Sequence, residues 1–137
     1  MPGETNLTRL LASMQPVLNA GEYVFCTTRA GTSVPAELVL GSFREAEGLT
    51  LILARKTADA HGLIYDYVSA WLTLNVHSSL AAVGLTAAVA GALARENISC
   101  NVVAAYFHDH LFVAQADAQR ALAALQTLSA EAGGQAS

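Results

Sequence analysis

Residues 70–115 read "AWLTLNVHSSLAAVGLTAAVAGALARENISCNVVAAYFHDHLFVAQ", and along them the hydrophobic period changes from strand-like to helical and back. Residues 70–76 alternate, with Leu72, Leu74 and Val76 on one face and Trp71, Thr73 and Asn75 on the other, which predicts a strand. From about Val83 the apolar positions fall at helical spacing: Leu85, Val89 and Leu93, with Ala88 and Ala92 beside them. Asn97 suits the left-handed residue that ends such a helix, and Ile98 begins the next apolar run. A strand is expected from Cys100 to Tyr106, a turn at "FHDH", and a returning strand at "LFVAQ". The last helix should start near Asp117, an N-cap residue, present Ala121, Leu122, Leu125 and Leu128 on one face, and stop at Gly133-Gly134. The order is strand, helix, strand, strand, helix.

Topology then brings distant residues together. A right-handed strand-helix-strand unit makes its two strands parallel, so the loop after Val76 and the hairpin at His108 lie at the same end. The free N–H groups at the helix start, with Gly84 allowing close approach, form a cradle for a carboxylate. Asp109, on the hairpin opposite, offers a negative charge to an ammonium group. One anion-binding pole and one cation-binding pole fit an amino acid. A single Asp in a hairpin is also a common turn residue, because its side chain bonds its own backbone.

The first half is less regular. A helix around Leu7, Leu10, Leu11 and Met14 should end before Pro16, and strands are expected at "EYVFCTTR", "AELVLGSF" and "LTLILA", with a turn at Glu47-Gly48. A short helix at "KTADAHG" follows. Each half contains a returning strand followed by Ala-Asp-Ala, at residues 58–60 and 116–118, which suggests a duplicated module. The chain is divided into a first, irregular module, residues 1–66, and a second, residues 67–137.

Composition narrows the function. The 137 residues carry a net charge of -4 and a single lysine, Lys56, so the basic patch that nucleic acid requires is lacking. Charged residues make up 13%, about half of what a typical soluble domain carries, so part of the surface is expected to be covered by a second copy in a homodimer. The polar residues Asn75, His77, Ser78 and Ser79 interrupt the uncharged run between Asp66 and Arg95, which argues against a membrane span. Glu4 precedes any apolar stretch, so the N-terminus does not read as a signal peptide and a cytoplasmic location is expected. Cys26 and Cys100 lie in apolar runs and read as reduced, packed thiols.

His108 and His110, with His77 as a third ligand, form the one arrangement suggesting a metal, but a bite of two residues across a turn is poorly fixed and no second Cys or His pair supports it. No metal or cofactor is expected. Nothing matches a nucleophile elbow, a phosphate loop or paired carboxylates, so no enzyme is expected either.

The segment "GLTAAVAGALARENISCNVV" resembles the ACT domain family in its Gly-led helix, its small-residue face and its "GINI"-like turn, here Asn97-Ile98-Ser99-Cys100. The hairpin with "VAQADAQRALAAL" is similar to the family's third strand and second helix, and "FREAEGLTLIL" and "VHSSLAAVGLTAA" extend the likeness across the chain. The whole looks like small free-standing bacterial tandem-ACT proteins and the regulatory ACT pair of aspartate kinases. It departs from the family in its loop, where "SSLAAVG" lacks a proline before Gly84. The resemblance implies an α+β, ferredoxin-like βαββαβ architecture in tandem, with antiparallel sheets and helices on one face. It implies a regulatory module binding an amino acid at a module or subunit interface, through Ser78, Ser79, Val83, Gly84, Leu85, Tyr106, Phe107, His108 and Asp109. A ligand-free dimerisation module is the alternative, and a metal-binding protein the third reading.

Overall fold

A computed structural model describes residues 6–29, 32–76 and 83–135. The chain folds as two units, a central one of Ala20–Ala70 and a terminal one that joins Met1–Asn19 to Trp71–Ser137. Each has a ferredoxin-like plan of antiparallel strands with helices on one face.

Asn6 starts the chain's first helix, α1 (Leu7–Ala12), by accepting the Arg9 N–H on its side-chain oxygen at 3.0 Å. A short strand, β1 (Pro16–Leu18), follows. The central unit then contains β2 (Tyr23–Thr28), β3 (Val39–Glu45), β4 (Gly48–Ala54), α2 (Arg55–Ala60) and the first residues of β5 (Val68–Leu74). β4 lies between β3 and β2, antiparallel to both, and β5 joins β2 at Tyr23 and Val24 only. The β3–β4 hairpin closes at Glu45 opposite Gly48. Gly48 has φ +153, and a Cβ there would stand 2.9 Å from the Thr28 carbonyl oxygen, so the turn admits only glycine. Alternate residues of β2 and β4 point inward, and Val24, Cys26, Leu51 and Leu53 bury themselves with Ala58 of α2. Where a βαββαβ module has its first helix, this unit has a single 3-10 turn at Ala36–Leu38. Residues 32–38 hold Pro35 and no helical apolar stripe, which accounts for the irregularity expected there.

The terminal unit continues with the end of β5, α3 (Leu85–Arg95), β6 (Cys100–Ala104), β7 (Asp109–Ala114) and α4 (Ala118–Gln135). Its strands lie in the order β1, β5, β7, β6. The helix-facing core is Leu72 and Leu74 of β5, Leu111 and Val113 of β7, Leu85, Val89 and Leu93 of α3, Ala121 and Leu125 of α4, and Leu10 of α1. Burying one such Leu or Val side chain contributes about 1.5–3 kcal/mol.

Three expectations need correction. β1 went unrecognised, although it pairs antiparallel with β5 through Pro16–Leu74, Val17–Thr73 and Leu18–Leu72. It takes the place of the last strand of a βαββαβ module in the terminal unit, which groups Met1–Asn19 with Trp71–Ser137. The last helix does not stop at Gly133-Gly134: it runs on to Gln135, after a 3-10 turn at Gln115–Asp117. Strand β5 spans 68–74, ending before Val76, and α3 begins at Leu85 rather than Val83.

Among the described residues no helix is long and apolar enough to cross a membrane.

Candidate functional site

Gly84 is the N-cap of α3, with φ +100, and its carbonyl accepts the Ala88 N–H at 2.9 Å. Among the described residues no side chain caps the helix, and its first-turn N–H groups carry the partial positive charge of a helix N-terminus. A Cβ at Gly84 would meet Leu7 Cδ2 at 3.2 Å, and glycine therefore serves both the left-handed conformation and the close approach of α1. Of the flanking residues, Leu85 is buried in the core and Val83 is 84% exposed.

The hairpin lies at the same end of this sheet. β7 is antiparallel to β6, which is parallel to β5 across the α3 crossover, so the start of β7 lies beside the end of β5. Ala105 N–H donates to the His108 carbonyl at 3.0 Å, leaving Tyr106 and Phe107 as the tip. Both rings are exposed and meet edge-to-face with centroids 4.8 Å apart.

Asp109 is the first residue of β7 and stands opposite Ala104. By strand alternation it shares the helix-facing side with Leu111 and Val113, and it is only 7% exposed. Burial pushes its carboxyl above the usual carboxylate range, with the neighbouring His110 and His108 opposing the shift. His108 is half-buried, and its Nδ1 is buried without a hydrogen-bond partner among the described residues.

His110 faces the other side of the sheet. Its Nδ1 accepts the Trp71 Nε1–H at 3.0 Å and lies 3.2 Å from the Thr73 hydroxyl. Asn19 Nδ2 in turn donates to that hydroxyl at 2.9 Å. Because an indole N–H can only donate, Nδ1 must be unprotonated and a neutral ring carries its proton on Nε2. Burial, and then the neighbouring His108, lower the His110 pKa, against Asp109. This polar cluster was missed in the sequence, where His110 was weighed only as a metal ligand. The signal was the alternation that already placed Trp71 and Thr73 on one face.

The structure thus brings Gly84, Leu85, His108 and Asp109 to one end of the terminal unit, with Val83, Tyr106 and Phe107 exposed beside them. Ser78 and Ser79, and His77 of the metal reading, lie outside the described residues. Among the described residues no three His, Cys, Asp or Glu side chains are grouped so as to hold a metal ion. Both thiols are poor nucleophiles: burial raises the Cys100 pKa to about 11, and burial followed by the charge of Asp59 raises that of Cys26.

Comparison with known proteins bears on this arrangement. The ACT domain family matches twice, over residues 2–70 and 67–127. No curated protein matches the chain. Among solved structures, a Vibrio cholerae protein of unknown function, described as a possible transport protein, is 48% identical over 90% of this chain and 95% of its own, with a TM-score of 0.80. The ligand-free regulatory subunit of aspartate kinase from Thermus thermophilus is 8% identical over 85% of this chain and 97% of its own, with a TM-score of 0.62. The Escherichia coli aspartokinase III in complex with aspartate and ADP is 14% identical over 82% of this chain and 32% of its own, with a TM-score of 0.58. The two kinase likenesses speak for the fold alone. Two adjoining family matches, and the ferredoxin-like plan of both units, make this chain a tandem member of the ACT domain family.

Proposed function

We propose that the chain is a regulatory sensor that binds an α-amino acid in the terminal unit, between the start of α3 and the β6–β7 hairpin. ACT domains serve generally as small-molecule regulatory modules and not as catalysts, with amino acids as their usual ligands. The observation that carries the reading is Asp109, a carboxylate 7% exposed, on the helix-facing side of the sheet, with His110 and His108 the charges that act on it among the described residues. A buried carboxylate without a strong cation is costly, and a ligand ammonium would offset that cost. The ligand carboxylate would take the N–H groups at Val83, Gly84 and Leu85, and the carbonyls near Phe107 would share the ammonium with Asp109. Reduced thiols at Cys26 and Cys100 suit a reducing compartment such as the cytoplasm.

A panel of the standard amino acids and several divalent metals in a thermal-shift assay identifies the ligand, because a ligand that binds only the folded state raises the melting temperature. Calorimetry on that ligand then tests the geometry. Asp109→Asn should weaken binding about ten- to a hundredfold, the worth of one charge-assisted hydrogen bond. Unchanged affinity in this variant, or affinity lost to a chelator, would defeat the reading.

The second reading, a ligand-free assembly module, is favoured by the apolar side chains left on the surface, Phe43 at 72% and Ile64 at 81% exposure among them. A panel in which no amino acid raises the melting temperature would leave this one standing.

A further inference from the structure

The helix layer of the terminal unit carries a groove of about 520 Å³ between α3 and α4. α4 presents two stripes to its surroundings. One, with Ala118, Ala121, Leu125 and Ala132, is buried in the core. The other lines the groove with Arg120, Ala123, Ala124, Thr127, Leu128 and Glu131, of which Arg120, Ala123, Thr127 and Glu131 are exposed. Its members recur at intervals of three, one, three, one and three residues, the period of a helix that packs lengthwise against another helix.

That spacing is the same read from either end. Two copies of α4, laid antiparallel with a two-fold axis at the level between Leu125 and Gln126, therefore bring Arg120 opposite Glu131, Ala123 opposite Leu128 and Ala124 opposite Thr127. Each pair is complementary. A cation meets an anion, and each alanine leaves room for the larger side chain across the axis.

The charges at the two ends of the groove set the direction of pairing. Arg120 Nη1 donates to Asp117 Oδ1 at 2.9 Å and its Nη2 to the Glu96 carbonyl, so the guanidinium is held at the C-terminal end of α3. Arg95 and Glu96 line this same end, where two cations outnumber one anion. Glu131 lies about three turns away along α4. Among the described residues neither Arg95 nor Glu131 forms an ion pair. A parallel pairing would set Arg120 against Arg120 and Glu131 against Glu131, which like-charge repulsion opposes.

We propose that this groove is a contact between two copies of the chain, made by antiparallel pairing of α4 about a two-fold axis. Ala123 and Ala124 allow the two helix axes to approach to the near end of the usual range of about 8–10 Å. The contact involves the C-terminal end of α3 and not its start at Gly84, so it stands whether or not an amino acid binds there.

Sedimentation velocity on the full-length chain, from micromolar to millimolar concentration, tests this contact. The parent should associate reversibly. Arg120→Glu and Glu131→Arg should each weaken association about tenfold and halve the sedimenting mass at a fixed concentration, because the two-fold axis repeats every like-charge contact. The double variant Arg120→Glu/Glu131→Arg restores opposite charges across the axis and should recover the parent's association. A change that merely disturbed α4 would not be reversed by a second one. Ala123→Arg, at an exposed position, should weaken association by filling the space opposite Leu128. Circular dichroism and the melting temperature report the fold of each variant. Arg120 also holds the end of α3, so Glu131→Arg and Ala123→Arg, which leave its bonds intact, carry the test if Arg120→Glu unfolds. The proposal is overturned if the parent stays monomeric throughout, if Glu131→Arg and Ala123→Arg associate as the parent does, or if a folded double variant associates no better than Glu131→Arg.

Discussion

Burial of the Asp109 carboxyl and of the His110 ring shifts two adjacent groups in opposite directions, and each shift sets a direction for stability. The folded protein holds the Asp109 proton to higher pH than the unfolded chain, whose carboxyl ionises near 3.8. This contribution is present at low pH and is lost as pH rises through the folded value. Ionising the buried carboxyl therefore works against folding, so Asp109→Asn should melt higher than the parent at neutral pH, with the difference shrinking as pH falls through the folded value. A variant that melts lower than the parent at neutral pH would show that the carboxylate is satisfied within the chain. For His110 the sign reverses. Above its ordinary value of 6.5 both states are neutral; below it the unfolded chain takes up a proton that the folded ring resists, and stability is lost as pH falls towards the folded value. The groups facing the ring from β5 are Trp71 and Thr73, both uncharged, and the charges that act on it are those of His108 and Asp109. In His110→Gln the fall in melting temperature between about pH 6.5 and pH 5 should flatten; an unchanged slope would assign it to other groups. Asp109 was legible as a charged hairpin residue, but its burial follows from pairing with Ala104 beneath the helix layer. The bond between Trp71 and His110 spans 39 residues and exists only once β5 and β7 are in register. Local pattern carries no information on such a partner.

Elements were readable where their own period was long. α3 and α4 have apolar stripes that decide their type, and β2, β4 and β5 alternate or run apolar as buried strands do. β1 has only three residues, begins with proline, and becomes a strand through its partner β5. No periodicity can accumulate over such a length, so its membership of the terminal unit was hidden. The end of α4 misled for a different reason. Gly133 and Gly134 are ordinary stop signals, yet both are helical here, and a Cβ on either meets nothing within 4 Å. The helix continues past them because Leu125 and Ala132 are buried and hold its final turns in place. Gly133→Ala and Gly134→Ala should therefore each stabilise the protein, by about 0.5–1 kcal/mol for an interior helical position and less where the end frays. Thermal unfolding followed by circular dichroism reads the effect. A loss of stability in either variant would mean that these glycines adopt a non-helical, glycine-requiring conformation in solution.

For the whole molecule, the surface chemistry sets the question of how many copies assemble. Charged side chains are 13% of the chain, which leaves few to keep separate molecules apart. The exposed apolar side chains include Val17 on β1, Leu40 and Phe43 on β3, Val103 on β6 and the Tyr106–Phe107 pair at the hairpin tip. Within their own units β3 and β6 are also outer strands, so among the described residues each presents an edge as well as apolar side chains. Edges of this kind in a stable protein are usually covered, and covering by an identical copy through a two-fold axis is the commonest arrangement. A homodimer is therefore expected, with a mass twice the 14.3 kDa of the chain. Sedimentation or light scattering at micromolar concentration measures it. Phe43→Lys places a charge on the β3 edge, and if that edge lies in the contact the variant should shift towards monomer while unfolding as the parent does. A dimer that survives Phe43→Lys directs the search to the β6 edge and Val103. A parent protein that runs as a clean monomer defeats the dimer altogether.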